Sequence, residues 1–275
     1  MVFLVKPGEE QKLTGAVKVP IYNEHGKLIP NFVGIADADD NDKVFKIATD
    51  KYALVQHSDV RNVTVNAMEK LGIKHDLVRT TDTGKRMYLE FDLPTIKHDV
   101  GKSVGDIVNL RVGIGNSYDC TSGVRLDVYG HRLVCSNGMW VNQAFGSFYG
   151  RHAYGVDLDE LKLEITKQIK HAILIFEKDF CGLMEKYVEE PFDQYRAVEF
   201  VNSCKEAKIL PVRTMDAIAG LVEHRNGADT GELKTKWDLY NSITEAITHD
   251  NTNIFMQRDR IRKIVKRLDQ YSFAA

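Results

Sequence analysis

Between Gly123 and His152 the chain reads GVRLDVYGHRLVCSNGMWVNQAFGSFYGRH, a stretch rich in side chains that can handle a polyanion. Arg125, Arg132 and Arg151 supply guanidinium groups, His152 an imidazole, and Trp140 and Tyr149 flat rings. Cations beside exposed rings suit single-stranded nucleic acid, because the cation neutralises the phosphate backbone while the ring stacks on a base. Lys85 and Arg86 add two further positive groups at an earlier turn. The same residues also have a structural reading. Aromatics at a strand-to-helix corner usually fill a core, and an arginine buried with a carboxylate partner can be a folding element alone.

Other chemistries find less support. Cys135 and His152 are the one thiol and imidazole pair worth weighing as nucleophile and base, yet no activating or oxyanion motif accompanies Cys135. Asp106, Asp119 and Asp127 could meet across strands as metal ligands, but such a grouping is close to chance among 39 acidic residues. Gly101-Lys102-Ser103 has the end of a phosphate-binding loop, with Ile96 where its first glycine belongs. Gly113-Ile-Gly115 starts a dinucleotide fingerprint whose third glycine position is Tyr118. The acidic tract Asp37 to Asp42 fails the calcium-loop pattern, having Asp42 where glycine and Ala48 where glutamate are needed, and reads as a solvated turn. No catalytic residue, metal, cofactor or nucleotide is expected.

The elements that must position these residues follow from periodicity. Val17 to Val19 and Phe32 to Ile35 suit a hairpin, and Val44 to Ala48 and Tyr52 to Val55 suit strands. Ser58-Asp59 is expected to cap a helix that Gly72 ends, with Val60, Val63, Ala67 and Leu71 as its buried stripe. Asp76 to Thr80 and Met87 to Leu93 flank Thr81-Asp-Thr-Gly84 as a hairpin, and Asp106 to Gly113 and Gly123 to Tyr129 form a further pair. From Asp157 the apolar period becomes helical as far as Pro191. Four shorter helices follow, at Phe192 to Ala207, Pro211 to Arg225, Thr235 to His249 and Asn253 to Gln270. The last carries Arg258, Arg260, Arg262, Lys263, Lys266 and Arg267 against Asp259 and Asp269, a surplus that suits either phosphates or a subunit interface. The expected fold is α+β: a curved antiparallel sheet with a covering helix, then an all-helical C-terminal half. The expected parts are an N-terminal arm over 1–43, a sheet core over 44–156 and a helical region over 157–275.

At 275 residues the chain can bury a full core, and 43% hydrophobic with 28% charged residues is ordinary for a globular protein. The net charge of −2 excludes a uniformly basic coat, so nucleic-acid binding would depend on local clustering. No apolar run suits a membrane span and the N-terminus lacks a secretory leader, so a cytoplasmic location is expected. The 4 cysteines are too widely spaced for a zinc clip and read as small buried apolar residues.

Arg132-Leu-Val-Cys135-Ser-Asn137 followed by Arg151-His152 resembles the signature of a phage and plasmid family catalogued as domain of unknown function 932. Tyr52-Ala-Leu-Val55, Phe91-Asp-Leu-Pro94, and Thr235 to Glu245 with His249 resemble its other motifs, in the same order, over residues 44 to 250. The chain departs from the pattern at Asn137-Gly138, where many members carry Asn-Thr. The resemblance implies a setting among mobile-element genes for replication and recombination. More weakly, it implies a role similar to single-strand annealing proteins of the Red-beta, Erf and Rad-fifty-two type. The expected function is that of a non-enzymatic, homo-oligomeric protein that binds single-stranded DNA through Lys85, Arg86, Arg125, Arg132, Trp140, Tyr149, Arg151 and His152. The alternative is an interaction protein that modulates a host defence factor.

Overall fold

The computed structural model describes residues 2–3, 12–100, 107–132, 138–139, 146–150, 152, 157–224, 233–249 and 254–271. It is mixed α+β, with strands through the N-terminal half and helices through the C-terminal half. The strands are β1 (Val2–Phe3), β2 (Ala16–Tyr22), β3 (Leu28–Asp37), β4 (Val44–Thr49), β5 (Asp76–Asp82), β6 (Arg86–Asp99), β7 (Ile107–Ser117), β8 (Val124–Arg132), β9 (Gly138–Met139) and β10 (Gly146–Gly150). β2, β3 and β4 form one antiparallel sheet. The other strands form a larger sheet in the order β1-β5-β6-β7-β8-β10, with β9 also paired to β8. The expected hairpin at Thr81 to Gly84 joins β5 and β6, and Gly84 takes the left-handed conformation at φ 83°, which glycine adopts without a Cβ penalty. Helix α1 (His57–Lys70) lies between β4 and β5 in sequence.

After β10 come α2 (Leu158–Ile175), a turn of wider π-type winding at Phe176–Phe180, and α3 (Cys181–Glu189), then α4 (Gln194–Glu206), α5 (Val212–His224), α6 (Lys236–Thr248) and α7 (Ile254–Gln270). Each helix expected from the apolar period is present. The capping box of α6 is complete: Asp238 N–H donates to the Thr235 hydroxyl at 3.4 Å, and Asp238 Oδ2 accepts from Thr235 N–H at 2.9 Å. In α7 the stripe Ile261, Ile264, Val265 and Leu268 is buried, while Lys263, Lys266 and Arg267 are exposed.

By compactness the chain falls into two units, one of residues 1–95, 111–128 and 146–172, the other of residues 96–110, 129–145 and 173–275. In the first, Ala16 and Ile35 of the small sheet pack with Tyr52 and Tyr118, flanked by Val33, Phe45, Ala48 and Leu54. In the second, Trp237 stacks on Tyr240 with ring centroids 5.7 Å apart, and both are fully buried.

Three local expectations are corrected. Tyr52 to Val55 is not a strand, because Tyr52 folds back to donate its N–H to Thr49 O. Ser58-Asp59 does not cap α1: the N-cap is Gln56, and the His57 N–H is satisfied instead by the Tyr118 hydroxyl at 2.8 Å. Cys120 is exposed rather than buried, although Cys204 is buried as expected. The acidic tract is a turn: Asp37 pairs with Lys43 at 2.8 Å and Asp39 with Lys12 at 2.7 Å. Among the described residues no helix is long and apolar enough to cross a membrane.

Candidate nucleic-acid interface

Strand β8 alternates. Val124, Leu126 and Val128 face the core, so Arg125 and Asp127 must share the other face. The same rule applies to its antiparallel neighbour β10, where Tyr149 stands opposite Arg125 and Ser147 opposite Asp127. β10 is the last strand of the sheet, so this pair sits at an edge. Tyr149 is 55% exposed, whereas the Arg125 side chain is 27% exposed and lies 3.9 Å from the buried Asp127 carboxylate. A guanidinium that reaches the surface beside an exposed ring is the arrangement that base stacking next to a phosphate requires.

Farther across the sheet, within the same unit, polar side chains again oppose the apolar face. Arg111 bonds Asp92 Oδ1 through Nε at 3.2 Å and meets Glu90 Oε2 at 3.4 Å, and Arg79 reaches Glu90 Oε1 at 3.4 Å. Glu90 is almost fully buried, so these partners keep its charge compensated. Gly113 leaves room here for Tyr88: a Cβ would lie 2.4 Å from its hydroxyl. Among the described residues Arg79, Arg111 and Arg125 lie beside Glu90, Asp92 and Asp127, so these charges offset one another. Arg125 and Tyr149 lie at the edge of this face.

The other expected residues are dispersed. Lys85 and Arg86 are exposed at the β5–β6 turn, where Arg86 Nε bonds Asp119 Oδ2 at 2.7 Å. Partial burial pushes the Asp119 carboxyl up, but hydrogen bonds from Thr121 and Arg86 outweigh it and hold the group below its ordinary value. His152 turns away from solvent: its ring stacks on Tyr52 at 5.2 Å and its Nδ1 donates to Ala53 O at 3.0 Å. Burial lowers its pKa, so it carries no charge toward a phosphate at neutral pH. Arg132 ends β8, with its side chain outside the described residues, as are Trp140, Arg151 and Cys135.

A polar hub missed in the sequence lies in the same unit. His57 is fully buried, its ring stacked 3.8 Å from that of Tyr118. The Asn116 amide donates both to Val55 O and to His57 Nδ1, each at 2.9 Å, so Nδ1 accepts and the imidazole proton sits on Nε2. Burial depresses the His57 pKa to about 4, with the nearby Asp82 carboxylate opposing the shift only in part. The Tyr118 hydroxyl sits within hydrogen-bond distance of Thr14 O and Gln56 Oε1, at 3.0 and 3.2 Å. His57 and Asn116 are 59 positions apart and match no chemical motif, so no linear pattern announces this hub. Among the described cysteines, partial burial raises the pKa values of Cys120, Cys181 and Cys204 and so disfavours their thiolates.

A family model described as Domain of unknown function (DUF932) matches residues 44–271. The chain belongs to the DUF932 family. No curated protein and no solved structure matches it. Within this DUF932 chain the described motif residues are packing elements. Tyr52 carries the His152 ring, Ala53 N–H donates to His152 O at 3.4 Å, Phe91 and Leu93 are buried, and Trp237 and Tyr240 lie in the helical core. These parts of the DUF932 pattern are accounted for by folding, whereas Tyr149, Lys85 and Arg86 are exposed.

Proposed function

We propose that this DUF932 chain binds single-stranded nucleic acid as a protein of a mobile element, and that it holds single-stranded DNA for annealing during recombination or replication. The observation that supports this reading most directly is Tyr149, 55% exposed on an edge strand and paired across the ladder with Arg125. Tyr149 offers a base a stacking surface, Arg125 meets the adjoining phosphate, and the exposed Lys85 supplies a second cation in the same unit. Arg132, Trp140 and Arg151 join the set on the sequence reading. Side-by-side subunits would keep one strand extended with its bases open to a complement. The binding needs no nucleotide hydrolysis.

The test is fluorescence anisotropy of a labelled oligothymidine at low and high salt. Binding should weaken as salt rises, and Tyr149→Ala should weaken it about tenfold, as expected for loss of one stacked base. Arg125→Lys keeps a charge near Asp127 and should retain most of the affinity, whereas Arg125→Gln should not. Absence of binding at low salt, or affinity in both Tyr149→Ala and Arg125→Gln equal to that of the unaltered chain, refutes the reading.

A second reading, a protein that docks on a host factor, rests on a different surface. Tyr22, Leu28, Phe32, Val44 and Ile47 of the three-stranded sheet are each about half exposed, and apolar exposure clustered on one small sheet suits a protein partner. Stoichiometric co-purification of a host protein free of nucleic acid, lost in Phe32→Ser with Ile47→Ser, would favour it.

A further inference from the structure

In the helical unit, α5 packs against α6 and leaves a cleft of about 560 Å³ between them. The size falls within the range of about 300 to 1,000 Å³ typical of small-molecule sites. Its apolar lining is Ala217, Gly220 and Leu221 of α5 with Ala246 of α6. Arg213 and Thr214, in the first turn of α5, and Glu245 and His249, near the end of α6, supply the polar lining.

Two observations single this cleft out. Gly220 stands inside a 13-residue helix, where glycine is a poorer choice than alanine, and a Cβ there would meet nothing within 4 Å. Packing therefore does not demand glycine, and its missing side chain widens the cleft. Arg213 is exposed and makes no ion pair among the described residues, and it sits where the N-terminal end of the α5 dipole adds to its field. An unpaired guanidinium beside an apolar floor is complementary to an amphipathic anion.

We propose that this cleft binds a small organic acid, with the apolar body over Gly220, Leu221 and Ala246 and the anionic group at Arg213. The site shares no residue with the Arg125 and Tyr149 pair and does not depend on nucleic-acid binding.

The test uses the full chain and two fluorescent probes of similar shape, the anionic 1-anilinonaphthalene-8-sulfonate and the neutral N-phenyl-1-naphthylamine. Arg213→Gln should weaken the anionic probe about tenfold and leave the neutral one within about twofold. Gly220→Leu should abolish both at this site, while Gly220→Ala, which favours the helix, should fold and melt at a higher temperature. Benzoate should displace the anionic probe from the unaltered chain and not from Arg213→Gln. Should Gly220→Leu fail to fold, the two probes with Arg213→Gln still decide the matter. Equal loss of both probes in Arg213→Gln, or unchanged binding of both in a folded Gly220→Leu, overturns the proposal.

Discussion

Gln56 clasps the backbone of Ala16 from both sides, donating from Nε2 to the Ala16 carbonyl at 2.8 Å and accepting the Ala16 N–H on Oε1 at 3.0 Å. A primary amide presents a donor and an acceptor in one plane, so this side chain imitates a neighbouring strand residue and ties β2 to the start of α1.

Replacing Gln56 by Leu should cost about 1 to 3 kcal/mol, because both polar groups of the buried Ala16 would be stranded. Gln56→Glu retains the acceptor alone and should fall between the two. Urea denaturation measures this, and a Gln56→Leu midpoint equal to that of the unaltered chain would show the clasp to be energetically idle.

The His57 imidazole gives stability a pH dependence of definite sign. Its folded pKa of about 4 lies below the ordinary imidazole value of 6.5, so the unfolded chain binds the extra proton more readily. The stabilisation is complete above about pH 6.5 and is lost as pH falls toward 4, at up to about 1.4 kcal/mol per pH unit. A His57→Asn variant should be less stable at pH 7 and show a shallower slope over that window. Parallel stability curves for the two proteins would remove His57 as the origin.

Gly113→Ala should destabilise by about 1 to 3 kcal/mol, since the added Cβ would lie 2.4 Å from the Tyr88 hydroxyl and 3.2 Å from its ring carbon. Tyr88→Phe removes the nearer atom, so the double variant should cost less than the sum of the two single ones. Strict additivity in a thermal-denaturation cycle would mean that the two side chains do not meet.

Thr235→Ala should lower stability by about 1 kcal/mol through loss of one half of the α6 capping box. Thr235→Ser keeps the hydroxyl and should restore most of it. If alanine and serine behave alike in calorimetry, the hydroxyl contributes nothing.

Wherever burial repeats along one element, the sequence was readable. Val60, Val63 and Ala67 give α1 its inner face, and Ile261, Ile264, Val265 and Leu268 do the same for α7. What escaped was satisfied by distant partners: a tyrosine hydroxyl from the end of β7 starts α1, so Ser58 is not needed as a cap. Ring direction escaped as well. His152 and Tyr149 stand close in sequence, yet one ring is packed on Tyr52 and the other faces solvent. Alternation along β10 identifies Tyr149 as outward only once β8 is known to be its neighbour.

The wide turn at Phe176–Phe180 means that this long helix carries one surplus residue. Its buried side chains Ala172, Phe176, Phe180 and Met184 recur every four positions, too slow for ordinary winding, and Glu177, Lys178 and Asp179 face outward between two of them. Deleting Lys178 would turn the spacing from Ala172 to Tyr187 into alternating fours and threes, the rhythm of a regular helix, with Met184 and Tyr187 still directed inward. A one-residue deletion within α3, between Cys181 and Tyr187, would instead rotate the downstream face by about 100° and pull Tyr187 out of register. This segment can therefore absorb a shortening that its flanks cannot.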